Sequence, residues 1–553
     1  MIALSVVIAT YNRADRLTAC LDALGAQTIC GGGAQDEFEV VVVVDGSSDG
    51  TLDLLGSYGA TFPLRVVAQK NAGQPAALNR GVEEARGRFC LLMDDDVVAR
   101  PELLAEHLKA QRETAGALAA GRLSIDVPKR AGWFVRRFAA EWADHYARLD
   151  SGEKRLTSSS CYGGNLSFPR AAFLAVGGFA LDLPRGYDVE LAHRLIAFGL
   201  SPLYLPHAEG AQDERKTARQ LLRDQENAGG SLVAIYRRNR STLPMGGLTD
   251  FHRAGRVSIA LRRLLLALNV PAAALGGTGR MLDRLTRGRW YRFVRQYAFW
   301  RGVRRAATAE EWSGLTGSVT ILLYHAVAPA GETASRFVVG GAEFAWQMRW
   351  LALGGYRVVS LGSYVRDRRE HRLTPGRSVI ITFDDGYADN GAVAAPILDA
   401  QHFTATIFLV TDRVGDANRW DVEGVLAGRP ILSWDEIRDL ERAGLEFAPH
   451  GRSHRAMTDL SDEELSDEIG GAWETLKQEV AHPVPVLAFP FGLHDPSARN
   501  ASGRAGLVAA CTATPGRTTL RTPLDVLPRF EIKGTTSRLD FRLAVWFGGN
   551  RAG

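Results

Sequence analysis

The chain has 553 residues and a formal net charge of +4, with 46% hydrophobic and 23% charged residues. This length predicts two or three domains, and there is enough apolar material for more than one core. The small net charge argues against the strongly basic surface that nucleic-acid binding usually needs, so we expect no nucleic-acid partner.

The start of the chain predicts no targeting segment. Its sequence, MIALSVVIATYNR, lacks the basic start and the small-residue cleavage site of a signal peptide. The best candidate for a membrane span, 259–277, contains two arginines and a proline, so we expect no transmembrane helix. Five scattered cysteines without a C-x-x-C pair indicate reduced thiols. A cytoplasmic protein is therefore expected.

Residues 1–115 alternate between strand and helix patterns. The segments LSVVIAT, FEVVVVVD, LRVVAQ and FCLLMD are short and apolar, which predicts strands. Helical patterns fall between them, at 16–27 and 75–86. This alternation predicts an α/β fold in which helices cover both faces of a parallel sheet. Such sheets bind ligands beyond the carboxyl ends of their strands.

Three consecutive aspartates, Asp94, Asp95 and Asp96, follow the last of these strands. Carboxylates this close repel one another, so the cluster is costly without a cation. Alternate residues of an extended segment point the same way, so Asp94 and Asp96 can face one site. Hard oxygen ligands favour Mg²⁺ or Mn²⁺, which would bridge the diphosphate of a nucleotide sugar and neutralise the leaving group.

Residues 3–115 resemble family 2 glycosyltransferases of the GT-A fold, which is Rossmann-like. The matching stretches follow the family's order: SVVIATYNRADRLTACLDAL, VVVDGSSDGT, NAGQPAALNRGVEEARG and LLMDDDVVARPELL. The resemblance implies that four residues bind the nucleotide sugar: Thr10, Tyr11, Asp45 and Asp94. It also implies that Asp96 completes the D-x-D pair and binds the metal. Val44 stands where relatives often have a further aspartate.

The resemblance extends into the half that binds the acceptor, through YGGNLSFPRAAFLAVGGF (162–179) and RGYDVELAHRL (185–195). An inverting transferase needs a carboxylate that removes the proton of the attacking hydroxyl. Asp188 occupies the position of that base in the family, and Glu190 is the alternative. Tyr187 stands where the family usually has a glutamate.

Two further features concern this first domain, which we place at 1–244. Many relatives carry a histidine after the LYLP stretch, and its counterparts here are His207 and Gln212, between which the sequence does not decide. The Gln/Arg-x-x-Arg-Trp signature of processive polymerases is not visible after position 200. Its absence favours transfer of a single sugar.

Residues 245–312 are rich in arginine and leucine and have a helical, amphipathic pattern with a strongly basic face. The simpler interpretation is a helical linker packed on the first domain. The alternative is a helix that lies on an anionic membrane surface, at the inner face of the membrane.

From Ser318 onward the strand and helix patterns alternate again. The predicted strands are VTILLYH, SVIITFDD, ATIFLV, LEFAPH and VLAFPF. The predicted helices lie at about 341–354, 389–400, 434–443 and 461–479. This pattern predicts a second α/β domain at 313–553, with a barrel as the expected form.

A second polar constellation follows two of these strands. Asp384 and Asp385 end one strand, and His450 and His454 lie four residues apart after another. Asp385 and the two imidazoles suit Zn²⁺ or another divalent metal with positions open for water. The neighbouring Asp384 is then available as a base, because adjacent carboxylates can titrate separately.

The second half, about 318–535, resembles the polysaccharide deacetylases (family 4 carbohydrate esterases, the NodB homology domain). The matches are ILLYHAV, TFDDG, the H-x-x-x-H motif, LSDEEL and FPFG. The resemblance implies a distorted (β/α) barrel that hydrolyses the N-acetyl group of a hexosamine. Asp384 would be the general base, and the metal ligands would be Asp385, His450 and His454. His325 would line the site.

The deacetylase resemblance has two departures. Ala488 stands where many relatives carry an arginine that orients the base, and LPRF (527–530) occupies the region of the usual Leu-x-x-His, which supplies the general acid. The identity of the acid is therefore open, with His494 as a candidate. We interpret these differences as variation within an active family.

Together the two halves predict a bifunctional carbohydrate enzyme. The first would add a sugar, an N-acetylhexosamine from UDP-GlcNAc, to a glycan, lipid-linked or small-molecule acceptor, and the second would remove the acetyl group. Alternatively, one domain alone is catalytic and the other is a degenerate carbohydrate-binding module, which Val44, Tyr187 and Ala488 favour.

Overall fold

The computed structural model describes residues 2–30, 37–277, 279–329 and 331–547. The chain forms two compact units, one of residues 1–248 and 255–307 and the other of residues 249–254 and 308–553. Residues 255–307 thus belong to the first unit, and the domain boundaries drawn from the sequence stay a prediction. Within the described ranges, no helix combines the length and apolar character needed to cross a bilayer.

The first unit is built on one eight-stranded sheet. Its strands are β1 (Leu4–Thr10), β2 (Phe38–Asp45), β3 (Leu64–Gln69), β4 (Phe89–Met93), β5 (Val97–Ala99), β6 (Ala117–Asp126), β7 (Asn165–Pro169) and β8 (Ser201–Asp213). Their order is β3-β2-β1-β4-β7-β6-β8-β5. The first four strands are parallel, as predicted, whereas β7 is antiparallel to β4 and β6.

Strands β1, β2 and β4 are buried along their whole length, which explains their unbroken apolar runs. The helices of this unit are α1 (Ala14–Gly25), α2 (Thr51–Ser57), α3 (Gln74–Glu84), α4 (Leu103–Glu113), α5 (Trp133–Asp150), α6 (Arg170–Ala175), α7 (Tyr187–Ala197), α8 (Ala218–Arg238), α9 (Arg256–Ala267), α10 (Ala272–Gly277), α11 (Arg280–Leu285) and α12 (Arg289–Ala306). The two helices predicted in residues 1–115 correspond to α1 and α3.

The second unit alternates short strands with helices. Its strands are β9 (Thr320–Tyr324), β10 (Ala326–Ala328), β11 (Val338–Gly340), β12 (Arg357–Val358), β13 (Ser378–Phe383), β14 (Thr406–Leu409), β15 (Glu446–Pro449), β16 (Val486–Ala488), β17 (Ala509–Cys511) and β18 (Phe530–Glu531). Its helices are α13 (Ala309–Thr316), α14 (Gly341–Leu353), α15 (Leu361–Arg369), α16 (Ala395–Asp399), α17 (Trp434–Arg442), α18 (Asp462–Leu465), α19 (Ala472–Glu479), α20 (Pro496–Arg504) and α21 (Arg538–Phe547).

The strands of the second unit form a curled parallel sheet. Its order is β15-β14-β13-β9-β18, with β12 also paired to β13. The pair β16–β17 continues the curl, because the N–H of Val484 donates to the carbonyl of Phe447 and the N–H of Leu527 donates to that of Ala510. The result is a distorted, incompletely closed (β/α) barrel, as predicted. The predicted site residues follow the carboxyl ends of β9, β13 and β15.

Candidate active sites

In the first unit, the loops after β1 and β2 are tied together. Asn12, which has a φ of 52°, donates its N–H to Ser47 Oγ at 3.0 Å and accepts the N–H of Ser48 at 2.8 Å. Thr10 is buried at the end of β1, and Tyr11 is half exposed. These two predicted nucleotide-binding residues therefore lie at the sheet edge where α/β folds bind ligands.

Asp45, also predicted to bind the nucleotide, is the buried last residue of β2. Its carboxylate accepts hydrogen bonds from the Gln69 side chain and from the N–H groups of Ala72 and Gly73, each at 2.8 Å. These bonds fix the loop after β3. Asp45 thus shapes this edge of the site through the backbone.

The carboxylates of the three aspartates after β4 are engaged by other side chains. Arg13 Nη1 lies 2.7 Å from Asp95 and 3.1 Å from Asp96, and Arg16 Nη1 lies 3.1 Å from the same Asp96 oxygen. Gln212 donates to the second Asp96 oxygen at 3.1 Å. The hard oxygens fit Mg²⁺ or Mn²⁺ in chemistry, but a cation bound at Asp96 must compete with the contacts that the unit already makes there.

Asp94 lies close enough to the predicted base, Asp188, for that carboxylate to act on the pKa of Asp94. Gln74 donates to Asp94 at 3.0 Å, while burial and then the neighbouring carboxylates raise the pKa of Asp94 to about 7. Asp188, in the first turn of α7, accepts the N–H of Gly163 at 3.3 Å and that of Val189 at 2.9 Å. Burial raises the pKa of Asp188, and a carboxylate with a raised pKa is a better general base.

The remaining alternatives from the sequence occupy different environments. Glu190 is buried, and Arg194 donates to both of its oxygens, at 2.8 and 2.7 Å. His207 is exposed on β8, whereas Gln212 on the same strand donates to Asp96. Of the two counterparts of the family histidine, Gln212 is therefore the one that the structure brings into the carboxylate cluster.

In the second unit, three buried side chains converge beyond β13 and β15. The Nε2 atoms of His450 and His454 lie 3.4 and 3.2 Å from Asp385 Oδ1. One ligand atom from each residue lies within 4.8 Å of the others. Burial acts to raise the pKa of Asp385, but the two imidazoles hold it well below its ordinary value.

This donor set fits a divalent cation such as Zn²⁺. Asp385 Oδ1 is buried and has no hydrogen-bond partner among the described residues. His450 Nδ1 lies 2.8 Å from the carbonyl of Ala488, which keeps the proton on Nδ1 and leaves Nε2 for the cluster. Asp385 and His454 have φ values of 73° and 67°, a strained conformation that persists mainly at functional sites. Two imidazoles and a carboxylate are typical ligands of a catalytic zinc.

Asp384, next to this cluster, is held by a fully buried arginine. Arg529 Nη1 and Nη2 lie 2.6 and 2.7 Å from its two oxygens, which makes a bidentate pair. Arg529 also donates to the carbonyl of Thr512 at 3.0 Å. Burial acts to raise the pKa of Asp384, but the charge of Arg529 holds it below its ordinary value. Asp384 therefore stays ionised.

Two histidines were candidates to line this site. His325 directly follows β9 and is close enough for its charge to act on both Asp384 and Asp385. Its Nδ1 is buried and has no hydrogen-bond partner in the part of the chain that the structure describes. His494 Nδ1 is likewise buried without a partner in those ranges, and its ring centroid lies 5.2 Å from that of Phe489. His325 is thus placed beside the aspartate pair, and His494 in the loop after Phe489.

Comparison with known families identifies both units. Residues 5–177 match the family model described as glycosyl transferase family 2, and residues 371–510 match the model described as polysaccharide deacetylase. The chain joins a family 2 glycosyltransferase domain to a polysaccharide deacetylase domain. Both are families of enzymes.

Individual relatives resemble parts of the chain. The uncharacterized glycosyltransferase YfnE of Bacillus subtilis is 33% identical over 146 residues, 26% of this chain and 35% of that protein. YxkH of the same species, provisionally named a polysaccharide deacetylase, is 22% identical over 196 residues, 35% of this chain and 64% of that protein. A solved mannosyltransferase of Pyrobaculum calidifontis, in complex with GDP-Man and Mn²⁺, is 19% identical at a TM-score of 0.40, covering 55% of this chain and 86% of that one. The chain spans less than two thirds of the length of both curated relatives.

The deacetylase site also contains residues that sequence reasoning missed. Arg529 stands 145 positions after Asp384, and only the curl of the barrel brings the two together. The rings of Trp420 and Phe491 lie 4.6 and 4.7 Å from that of His454. These aromatic groups flank a predicted ligand and limit its access to water. The one signal for Arg529 was a lone arginine in LPRF.

Proposed function

We propose that the chain transfers one N-acetylhexosamine from UDP-GlcNAc to an acceptor in the cytoplasm and then removes the acetyl group from the product. The observation that carries this proposal is the convergence of Asp385, His450 and His454 beside an ionised Asp384, in a chain that also holds a transferase domain. A tether between two domains raises the concentration of the first product near the second site, to the order of millimolar for a short linker.

In the transferase domain, Asp188 is the base for an inverting transfer. The acceptor hydroxyl gives its proton to Asp188 while its oxygen attacks the anomeric carbon, and the bond to the nucleoside diphosphate breaks. The burial of Asp188 and its raised pKa support this role, and the pairing of Glu190 with Arg194 argues against the alternative base. Mg²⁺ or Mn²⁺ held by Asp96 of the D-x-D pair would stabilise the charge on the leaving diphosphate.

In the same domain, the donor lies against three residues at the ends of β1 and β2. Thr10 and Tyr11 are placed to contact the nucleotide, because they form the edge of the sheet. Asp45 holds the loop after β3 in position for it. This assignment rests on their common location at the carboxyl ends of parallel strands.

In the deacetylase domain, Asp384 takes a proton from water as the water oxygen attacks the acetyl carbon. The carbon–nitrogen bond then breaks as the nitrogen gains a proton, which leaves acetate and a free amine. We assign this proton to His325, which directly follows β9, the strand paired with the one that precedes the aspartate pair, with His494 as the alternative. Zn²⁺ or a similar ion held by Asp385 and the two histidine ligands would lower the pKa of the water and polarise the carbonyl.

The alternative function is that one domain is catalytic and the other only binds glycan. Val44 and Tyr187 depart from the transferase pattern, and Ala488 departs from the deacetylase pattern. In the deacetylase domain this argument is weakened, because Arg529 supplies Asp384 with the arginine that Ala488 lacks. The alternative therefore concerns mainly the transferase domain.

Mass spectrometry of acceptors treated with UDP-GlcNAc and Mn²⁺ tests the proposal. Wild type is expected to add roughly 161 Da, a hexosamine, whereas Asp384→Asn adds roughly 203 Da because the acetyl group stays when the base is lost. Addition of the full N-acetylhexosamine by wild type, with no acetate released from supplied N-acetylated glycans, would establish the single-activity alternative with an active transferase.

The base of the transferase is tested with a matched pair of variants. Asp188→Asn is expected to lower the rate of transfer by roughly 10²–10⁴-fold, while Glu190→Gln stays within about tenfold of wild type. Both variants should still release acetate from a supplied N-acetylated glycan, which shows that the chain is folded. Loss of transfer in Glu190→Gln alone would move the base to Glu190.

A further inference from the structure

Helix α9 of the transferase domain exposes apolar side chains and buries an arginine, which is the reverse of an ordinary surface helix. α9 and the residue after it carry an apolar stripe on one face, made of Val257, Leu261, Leu264 and Leu268. This stripe faces outward, since Val257 is 82% and Leu268 65% exposed. Arg262, in contrast, is fully buried, with Nη2 2.7 Å from Gln296 Oε1. A contiguous exposed apolar stripe marks an interaction surface.

α11 repeats the arrangement. Met281 and Leu285, about one turn apart, are both largely exposed, and Asp283 between them is buried. The carboxylate of Asp283 accepts hydrogen bonds from Arg137 Nε and from the N–H of Tyr291, both at 2.9 Å. Its negative charge is therefore used inside the domain and does not reach the surface.

The exposed charge of this segment, residues 255–292, has one sign. The segment contains eight arginines, and its one acidic residue is the buried Asp283. The exposed arginines are Arg256, Arg263, Arg280, Arg284, Arg287, Arg289 and Arg292. Exposed apolar side chains among arginines match an anionic bilayer, because the apolar groups enter the headgroup region while the arginines attract lipid phosphates.

Contacts within the domain connect this segment to the proposed transferase base. Glu141 of α5 accepts a hydrogen bond from the Tyr291 hydroxyl at 2.9 Å. The next residue of α5, Trp142, has its ring centroid 4.6 Å from that of Tyr162. Tyr162 directly precedes the glycine whose N–H donates to Asp188. A surface that binds the segment thus lies a few side chains from the acceptor side of the site.

We propose that residues 255–292 dock the transferase domain on an anionic lipid bilayer, and that the acceptor is an amphiphile presented by this bilayer. The second part rests on the proposed glycosyl transfer, whereas the docking does not. Apolar insertion and basic attraction are both needed for stable attachment, and the segment offers both.

Sedimentation of the full-length protein with vesicles tests the docking. Wild type is expected to bind vesicles of phosphatidylglycerol and phosphatidylcholine, and to bind pure phosphatidylcholine at least about tenfold more weakly. Val257→Glu combined with Leu264→Glu should weaken binding to the anionic vesicles by at least about tenfold. The matched control, Leu353→Glu with Val422→Glu, changes two residues that are more exposed in the deacetylase unit and should bind like wild type.

The same assay tests the contribution of the arginines and whether a second copy of the chain, and not a bilayer, binds this surface. Arg280→Gln and Arg284→Gln should each weaken binding about fivefold, the ratio for about 1 kcal/mol per charge. The docking would be overturned if wild type bound neutral vesicles as tightly as anionic ones. It would also be overturned if the glutamate variant bound anionic vesicles as tightly as wild type does. Dimerisation of wild type without lipid that the glutamate variant abolishes would assign the stripe to a second copy of the chain. Vesicle binding with transfer to soluble acceptors only would uphold the docking and overturn the amphiphilic acceptor, whereas vesicle binding without transfer to any acceptor would overturn the proposed transfer.

Discussion

The two candidate sites treat their buried carboxylates in opposite ways. In the deacetylase domain, one oxygen of Asp385 has no hydrogen-bond partner within the described ranges, and two imidazole nitrogens converge on it. In the transferase domain, Arg13, Arg16 and Gln212 engage both oxygens of Asp96. The first site is a preformed set of ligands, whereas the second supplies its own positive charge.

This difference predicts when each site binds its metal. A cation can enter the deacetylase cluster without breaking an internal contact, and it relieves the cost of a buried charge. At Asp96, a cation must compete with two guanidinium groups and an amide, and its binding is more favourable when the donor diphosphate adds its own oxygens as ligands. We therefore expect the deacetylase domain to keep its metal through dialysis and the transferase domain to bind one only together with the donor.

The largest expected effect comes from removing a ligand of the preformed site. His454→Ala should lose the metal that survives dialysis and lower acetate release by roughly 10³-fold, since a bound ion supplies several kcal/mol of stabilisation. Sugar transfer should stay unchanged. Elemental analysis and acetate assays measure these effects, and the exposed His482→Ala is the control. Two equivalents of tightly held metal in donor-free wild type would contradict the expected difference between the two sites. One full equivalent in His454→Ala would contradict the role of His454 as a ligand.

The next largest effect concerns Arg529, which pairs with Asp384, the proposed base of the deacetylase domain. Arg529→Met leaves Asp384 buried without its partner, which should cost about 3–5 kcal/mol of unfolding free energy. Because Arg529 positions the base, kcat should fall roughly 10²-fold while KM changes little. Arg529→Lys should recover part of kcat, since it restores the charge without the bidentate geometry.

A double variant separates stability from catalysis at this pair. Asp384→Asn combined with Arg529→Met removes both charges, so it should recover most of the lost stability while acetate release stays abolished. Hydrogen exchange of residues 378–383 in the full-length protein measures the stability. An Arg529→Met protein with wild-type exchange and wild-type kcat would show that Asp384 needs no internal counter-charge.

The sequence predicted the strands and the polar residues at their ends well. β1 and β13 are buried parallel strands, so every position is apolar or small. Such a segment can be recognised as a strand from the sequence alone. Asp385 follows β13 and His450 follows β15, and both strands belong to the same parallel sheet. The parallel topology therefore implied that these two residues lie at the same end of the sheet. For these residues, local pattern and chain direction carry the information.

The partners of these carboxylates could not be predicted in the same way. The sequence assigned no role to Arg529 or Arg16 and left Gln212 as one of two candidates, and each reaches its aspartate through tertiary contacts over 80 positions or more. The missing arginine at Ala488 indicated only that Asp384 needed a partner. Its replacement from another strand depends on how the barrel curls, which no local pattern encodes.

The smallest predicted effect tests the competing charges of the transferase site directly. Arg16→Gln removes one cation from Asp96, so Mn²⁺ should bind the donor-free transferase about fivefold more tightly, the ratio for a partly exposed ion pair of about 1 kcal/mol. Calorimetric titration of Mn²⁺ with and without UDP measures this change, and Arg80→Gln, which removes a surface pair with Glu84, is the control. The advantage that UDP confers on Mn²⁺ binding should shrink by the same factor. If Mn²⁺ affinity stays at the wild-type value, Arg16 is not a competitor for the metal.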